Sequence, residues 1–385
     1  MKGKRFGRPQ GRPMRVIAVA GTSGKTTTAW LTAAVLAEAG LNVGVLSDLG
    51  CLGPDDTRPV AAPYASPRRL SGWLARLADA GCSHAVVELP HGMPASRLPA
   101  DLAFDTVVVT NLADRRPASS GRSTAVRAVR SLGPDGVLVT GCAQARANQV
   151  AERLPPGCRL TTTGLANACD VRATAVEGGL FGRTVVVSAG RQLTPLAAGT
   201  PTISFIRDCL LAAAVGGRYG IPLEVAIRGI ESAGIVPGRM ERIDLGQDTP
   251  LFLDGPTSPH ALGGTLASLR RLTRGRLAVI AEEPLVNRIG NGLFDALVSR
   301  HCDACVIAPR TVLADDPADA DIAAYARIDR LLDSLGPDDC GLVLGGVGRP
   351  GTPPCSPPGR FPLAMLVDAW LQISQAPAAP GRRAA

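Results

Sequence analysis

Short apolar blocks alternate with longer segments of helical character along most of the chain. Val16–Val19, Val43–Leu46, Ala85–Val87 and Thr106–Val109 are brief, valine-rich and uninterrupted by polar residues. Runs of this kind suit strands of a parallel sheet that is covered on both faces. Between them the pattern turns helical, from Thr26 to about Ala39 and from Arg69 to Ala80, while Gly50 to Pro67 is rich in Gly, Pro and Asp and is predicted to be a loop. Strand–helix alternation implies right-handed crossovers, a parallel sheet and ligands at the carboxyl ends of the strands.

Further on, Asp135-Gly136 marks a turn into Val137–Val139, and Asp170 to Val187 alternates as antiparallel strands do. Two helices are predicted, Ser204 to Tyr219 and one that Ile221-Pro222-Leu223 starts and that runs through about Ala233. A Pro/Gly-marked link follows, Val236-Pro237-Gly238-Arg239-Met240-Glu241-Arg242. The alternation then restarts at Leu251–Leu253, closed by Asp254, and continues with Leu277–Ala281, Ala304–Ala308 and Leu342–Leu344. The reading is an α/β protein: a P-loop-type, mostly parallel sheet forms a central domain (residues 14–235), followed by a smaller open α/β, Rossmann-like C-terminal domain (236–375). A basic leader (1–13) and a tail (376–385) are expected to be disordered.

Charge changes little in this picture. Lys2, Lys4, Arg5, Arg8, Arg12 and Arg15, with Arg382 and Arg383, account for the whole formal net charge of +8. A near-neutral body with basic ends argues against a nucleic-acid partner, and a solvated tail is the simpler explanation. No apolar run reaches the roughly 18 residues of a membrane span, and no signal-peptide core is visible, so a soluble cytoplasmic protein without membrane partners is expected. Its ten cysteines then read as reduced thiols, the Cys302–Cys305 pair included.

The candidate chemistry gathers at the first strand–helix junction. Gly21-Thr22-Ser23-Gly24-Lys25-Thr26-Thr27 joins an apolar strand to a helix start. Its glycines allow close backbone approach to a ligand, and the helix offers free N–H groups to an anion. Lys25 can sit between phosphates, and Thr26 or Thr27 can give a hydroxyl to Mg²⁺. Lys25 is one of only three lysines, the others being Lys2 and Lys4, so it has escaped a strong bias toward arginine. Glu88, His91 and Asn111 follow strands on the same predicted edge, where a carboxylate can help hold a nucleotide's Mg²⁺.

Taken in order, these segments resemble the Mur ligase family, most closely the enzymes that add the third amino acid to UDP-N-acetylmuramoyl-dipeptide. Gly21–Thr28 is similar to that family's GTNGKTTT loop, Val86–Met93 to MEVSSHAL, Val109–Leu112 to FTNL and Leu253–Leu262 to VDYAHTPDAL; Val236–Arg242 matches VPGRMER throughout. The resemblance implies an ATP- and Mg²⁺-dependent ligase that turns a carboxylate into an acyl phosphate for attack by an amine, with a small-molecule acid and amine as its partners. It implies that Lys25 and the Gly21–Thr27 backbone hold the phosphates, that Thr26 and Glu88 hold Mg²⁺, and that His91 belongs to the catalytic group. It also puts Asn111 on the adenine side, Arg239 and Asp254 across the interdomain cleft, and Arg310 at the amino-acid substrate.

Departures from the family pattern open a second reading. Asp114-Arg115-Arg116-Pro117 stands where the family carries a second-metal histidine, and Arg127 stands near its carbamylated lysine. Arginine cannot coordinate a metal. The alternative is therefore a catalytically impaired, ATP-binding paralogue with a regulatory or scaffolding role. The phosphate loop begins early in the chain, which leaves open a partner chain supplying the UDP-binding domain.

Overall fold

The computed structural model describes residues 14–53, 66–90, 93, 98–99, 102–112, 120–141, 150–166, 168–244, 246–309 and 322–345. Ten strands form the first sheet, in the order β10-β9-β8-β7-β6-β5-β1-β4-β2-β3. Its parallel centre contains β1 (Arg15–Ala20), β2 (Val43–Ser47), β4 (His84–Glu88), β5 (Phe104–Val109), β6 (Leu132–Gly141) and β7 (Arg159–Gly164). Alternate residues of β1 face opposite layers, as the strand period requires. Ile17 and Val19 pack under α1 (Lys25–Glu38), while Val16, Ala18 and Ala20 pack against α2 (Pro67–Asp79) and α3 (Ser120–Arg130).

Both faces being covered explains the uninterrupted valine runs. Helix α1 is buried along most of its length because α4 (Ile203–Arg218) and α5 (Leu223–Ala233) cover the side that the sheet does not. The sheet continues through β8 (Val171–Gly179), β9 (Gly182–Ala189) and β10 (Gln192–Ala198), where pairing becomes antiparallel.

A second sheet follows, ordered β11-β12-β15-β13-β14. Strands β12 (Leu251–Asp254), β13 (Leu277–Glu282), β14 (Ala304–Ala308) and β15 (Cys340–Leu344) are parallel, and β11 (Glu241–Ile243) adds an antiparallel edge. On one face lie α6 (Pro259–Leu272), α7 (Glu283–Ile289) and α8 (Asn291–His301), and on the other α9 (Ile322–Asp333).

Three expectations need correction. The predicted loop from Gly50 begins as a strand, β3 (Gly50–Leu52), which turns back on β2 through Asp48-Leu49. The charged end of the Pro/Gly link is itself β11. Of the thiols, Cys51, Cys82, Cys158, Cys209, Cys302, Cys305 and Cys340 are free, but Cys169 is disulfide-bonded. No described helix is long and apolar enough to cross a membrane.

Candidate functional site

The phosphate-loop geometry starts from two glycines with positive φ. Gly21 (φ 146°) passes so close to Thr110 that a Cβ would collide with its hydroxyl, and Gly24 (φ 77°) likewise crowds the carboxylate of Asp208. Both conformations favour glycine. The loop between them is tied to the end of β5: Thr22 N–H donates to Asn111 O at 2.8 Å, the Thr110 hydroxyl donates to Ser23 O at 2.5 Å, and Asn111 Nδ2 donates to Ser23 Oγ at 3.3 Å.

Helix α1 then opens with Lys25, Thr26 and Thr27, all buried. Lys25 Nζ lies 3.6 Å from Glu88 Oε1, to which the Thr26 hydroxyl also donates at 3.2 Å. The other Glu88 oxygen accepts the backbone N–H of Asp48 at 2.9 Å. Burial, helped by the charge of Asp48, pushes Glu88 up to about 7, against the opposing pull of Lys25 and Arg239.

From the link just before the second sheet, Arg239 donates through Nη2 to Thr26 Oγ1 at 3.2 Å and through Nη1 to Gly255 O. The Thr257 hydroxyl donates to Thr22 O at 3.3 Å. Asp254 is fully engaged in holding this link. It accepts from Met240 N–H at 3.3 Å, Gly255 N–H at 3.0 Å and the Thr265 hydroxyl at 2.9 Å, and it fixes Met240 at a left-handed φ of 49°. Burial raises its pKa, while Arg239 pulls the other way.

Ser23, Gly24, Lys25, Thr26, Thr27, Asn111, Arg239, Asp254 and Thr257 line a cavity of about 240 Å³ between the two sheets, which also reaches Arg207, Asp208 and His260, while Glu88 lies fully buried behind Lys25 and Thr26. Lys25 and Arg239 give it a cationic end. Thr26 puts a hydroxyl on the cavity wall with the Glu88 carboxylate directly behind it, an oxygen set of the kind that Mg²⁺ takes when phosphate and water complete its shell. Among the described residues no cluster of three His, Cys, Asp or Glu could hold a metal by itself.

The structure thus brings together Gly21, Thr22, Ser23, Gly24, Lys25, Thr26, Glu88, Asn111, Arg239 and Asp254, with Thr27 on the same cavity wall. His91 and Arg310, like the Asp114–Pro117 segment, lie outside the described residues. Two contributors escaped the sequence reading. Asp48 follows β2 on the same edge, so the strand-end rule could have found it. Asp208 sits inside α4, where it accepts the Thr28 hydroxyl at 3.2 Å, and no local pattern marks it.

Glycine turn, buried lysine, strand-end carboxylate and a second α/β unit closing over them define a two-unit phosphate-loop protein. Residues 19–115 match the profile of the Mur ligase middle domain. The chain is 28% identical over 353 residues to the UDP-N-acetylmuramyl-tripeptide synthetase of Roseiflexus sp. strain RS-1, covering 84% of this chain and 67% of that protein. It is 30% identical over 286 residues to the UDP-N-acetylmuramoyl-L-alanyl-D-glutamate--2,6-diaminopimelate ligase of Corynebacterium glutamicum, covering 71% of this chain and 54% of that one. The crystal structure of MurF from Acinetobacter baumannii shares the fold with a TM-score of 0.67 at 15% identity, over 93% of this chain and 77% of that one. Residues 19–115 thus carry the Mur ligase middle-domain pattern, and most of the chain is similar in sequence to Mur ligases.

Proposed function

We propose that this protein is an ATP-dependent amide ligase of the Mur type, converting a carboxylate to an acyl phosphate that an amine attacks, in cytoplasmic peptidoglycan or cell-wall precursor metabolism. The observation that carries this reading is the Arg239 bond to Thr26, which joins the link of the second unit to the helix that opens with Lys25. Lys25 and the Gly21–Thr27 backbone hold the β- and γ-phosphates, and Arg239 meets them from the opposite wall. Charge on a transferring phosphoryl group is the main thing such a site must stabilise. Mg²⁺, held by Thr26 and Glu88, adds charge neutralisation when bound. Asn111 keeps the loop in shape, and Asp254 fixes the link that carries Arg239. His91 and Arg310 keep the roles that the family resemblance gives them.

The units proposed are residues 14–235 for nucleotide and 236–375 for closure. The names of the relatives suggest a UDP-muramoyl peptide as the acid. This chain spans 54% of the length of the C. glutamicum ligase.

One observation favours the impaired paralogue: Arg127, on α3, has a buried Nε with no hydrogen-bond partner and cannot replace a carbamylated lysine. Release of ADP in the presence of ATP, Mg²⁺, candidate acids and amines separates the readings. Amide product establishes the ligase. Measurable MgATP affinity without product across peptidoglycan precursors favours the paralogue, and binding that survives Lys25→Ala overturns the site itself.

A further inference from the structure

Hairpin turns are ordinarily built from small or polar residues. The turn that joins β8 to β9 is instead Leu180-Phe181, closed by the Gly179–Gly182 pair. Two large apolar side chains at such a tip point to a contact, and both have one. Leu180 packs against the core of the second unit, which contains Met240, Phe252 and Leu262. Phe181 stays 54% exposed, with the Arg242 guanidinium 4.4 Å from its ring centroid. The tip of the first sheet therefore rests on the second unit.

Both sides of this contact are held in place. Arg183 donates through Nε to Pro201 O at 3.1 Å, and Gly182 passes so close to Ala198 O that a Cβ would not fit. Across the contact, Arg242 pairs with Phe252 between β11 and β12, and directly opposed residues of neighbouring strands share a face. Leu180 and Phe181 thus meet the same face of the second sheet, at its edge. Asp244 pairs with Arg242 at 3.0 Å, which leaves the flat side of the guanidinium for the ring.

Arg242 stands three residues beyond Arg239, and the turn between them is fixed. Arg239 N–H donates to Val236 O at 3.0 Å, Gly238 N–H to Glu241 Oε2 at 2.8 Å and Met240 N–H to Asp254 Oδ1 at 3.3 Å. The link is thereby tied to the first unit twice, by Arg239 on Thr26 inside the cleft and by Arg242 on Phe181 outside it. We propose that the Leu180-Phe181 tip is a latch, and that Phe181 is a positioning residue which, through Arg242, keeps Arg239 against the phosphate-loop helix. This inference rests on the reading of the cleft as a nucleotide site. A cation over an exposed ring is worth only a few-fold in an equilibrium, which suits a contact that must release when the cleft opens for product.

The test is amide hydrogen exchange of the full chain without nucleotide, read on peptides spanning residues 236–243, alongside calorimetric titration with MgATP. Phe181→Leu keeps an apolar side chain and drops the ring, Phe181→Tyr keeps the ring, and Arg242→Gln drops the cation. Phe181→Leu and Arg242→Gln should each speed exchange in the link about threefold and weaken MgATP binding by a similar factor. Phe181→Tyr should match the parent, and the double variant should be no worse than either single one. Unchanged exchange or unchanged MgATP affinity in Phe181→Leu, an equal loss in Phe181→Tyr, or effects that add in the double variant overturns the proposal. A parent chain that binds no MgATP sinks the nucleotide reading instead, and the exchange comparison still decides whether the tip holds the link.

Discussion

Strand β4 runs five residues from His84 to Glu88, and its two ends are built on opposite plans. At the His84 end the charged groups pair with one another, although His84 Nε2 and Arg218 Nε are buried without a hydrogen-bond partner. Asp105 accepts the Tyr219 hydroxyl at 2.7 Å and pairs with Arg15 at 3.1 Å and Arg218 at 3.7 Å, while the Tyr219 hydroxyl also meets Thr106 at 3.0 Å. The His84 ring stands edge-on to Tyr219 with centroids 4.6 Å apart, and Arg15 lies over the tyrosine face. At the Glu88 end, by contrast, Lys25 and Arg239 face a cavity that their partners do not fill. Buried charge that is matched internally holds a fold together; buried charge facing an opening is kept for a ligand.

The contrast breaks most visibly at Lys25. Lys25→Ala should lower ADP release by about 10²–10³-fold, the usual loss when one preorganised charge is removed from a transition state. Melting followed by circular dichroism should change little, because the desolvation cost of the lysine goes with it and Glu88 can stay protonated. Asp105→Ala should do the reverse. It strands two arginines and a tyrosine hydroxyl, costing about 2 kcal/mol in urea unfolding, with nucleotide affinity unchanged in equilibrium titration. Arg239→Lys sharpens the comparison further. A lysine cannot span Thr26 and Gly255 together, so KM for ATP should rise about tenfold with the melting temperature held.

Much of this was legible in the sequence because the signals were local. The valine runs, the Gly21–Lys25 turn and the restart of alternation after Arg242 each depend on neighbours along the chain. They returned β1, α1, β2, β4, β5 and the four parallel strands of the second sheet within a residue or two, but not its edge strand β11. Placing Glu88 and Asn111 beside Lys25 needed one further rule, that ligands gather at the carboxyl edge. What stayed hidden was set by distant packing. Strand β7 is partly polar and exists because Leu160 and its neighbours pair with β6. Asp208 reaches the loop only because α4 lies across α1, and the network around Tyr219 joins residues more than a hundred positions apart. The family resemblance put Asp254 at the cleft; its three hydrogen bonds add that it positions the link carrying Arg239.

The smallest effect separates the two ends of β4 by the sign of their pH dependence. His84 is buried beside Arg15, and this holds it near 4, below its ordinary 6.5. The unfolded chain therefore takes up a proton first, and the stability tied to neutral His84 is lost as pH falls from 6.5 toward 4. Glu88 is held up at about 7 from an ordinary 4.5. Here the native state binds the proton first, so its contribution is present below 4.5 and is lost as pH rises through 7. Asp208 and Asp254 are also raised by burial and share the sign of Glu88, so the parent profile mixes the contributions and only differences isolate them. Between pH 4.5 and 6.5, His84→Gln should flatten the acid-side loss and leave stability falling toward high pH. Glu88→Gln should remove part of that fall, and each variant should shift melting by a few degrees across the window. Identical difference profiles for the two variants would mean that the ends of the strand do not titrate independently, and the division between a closed end and a ligand-facing end would then fail.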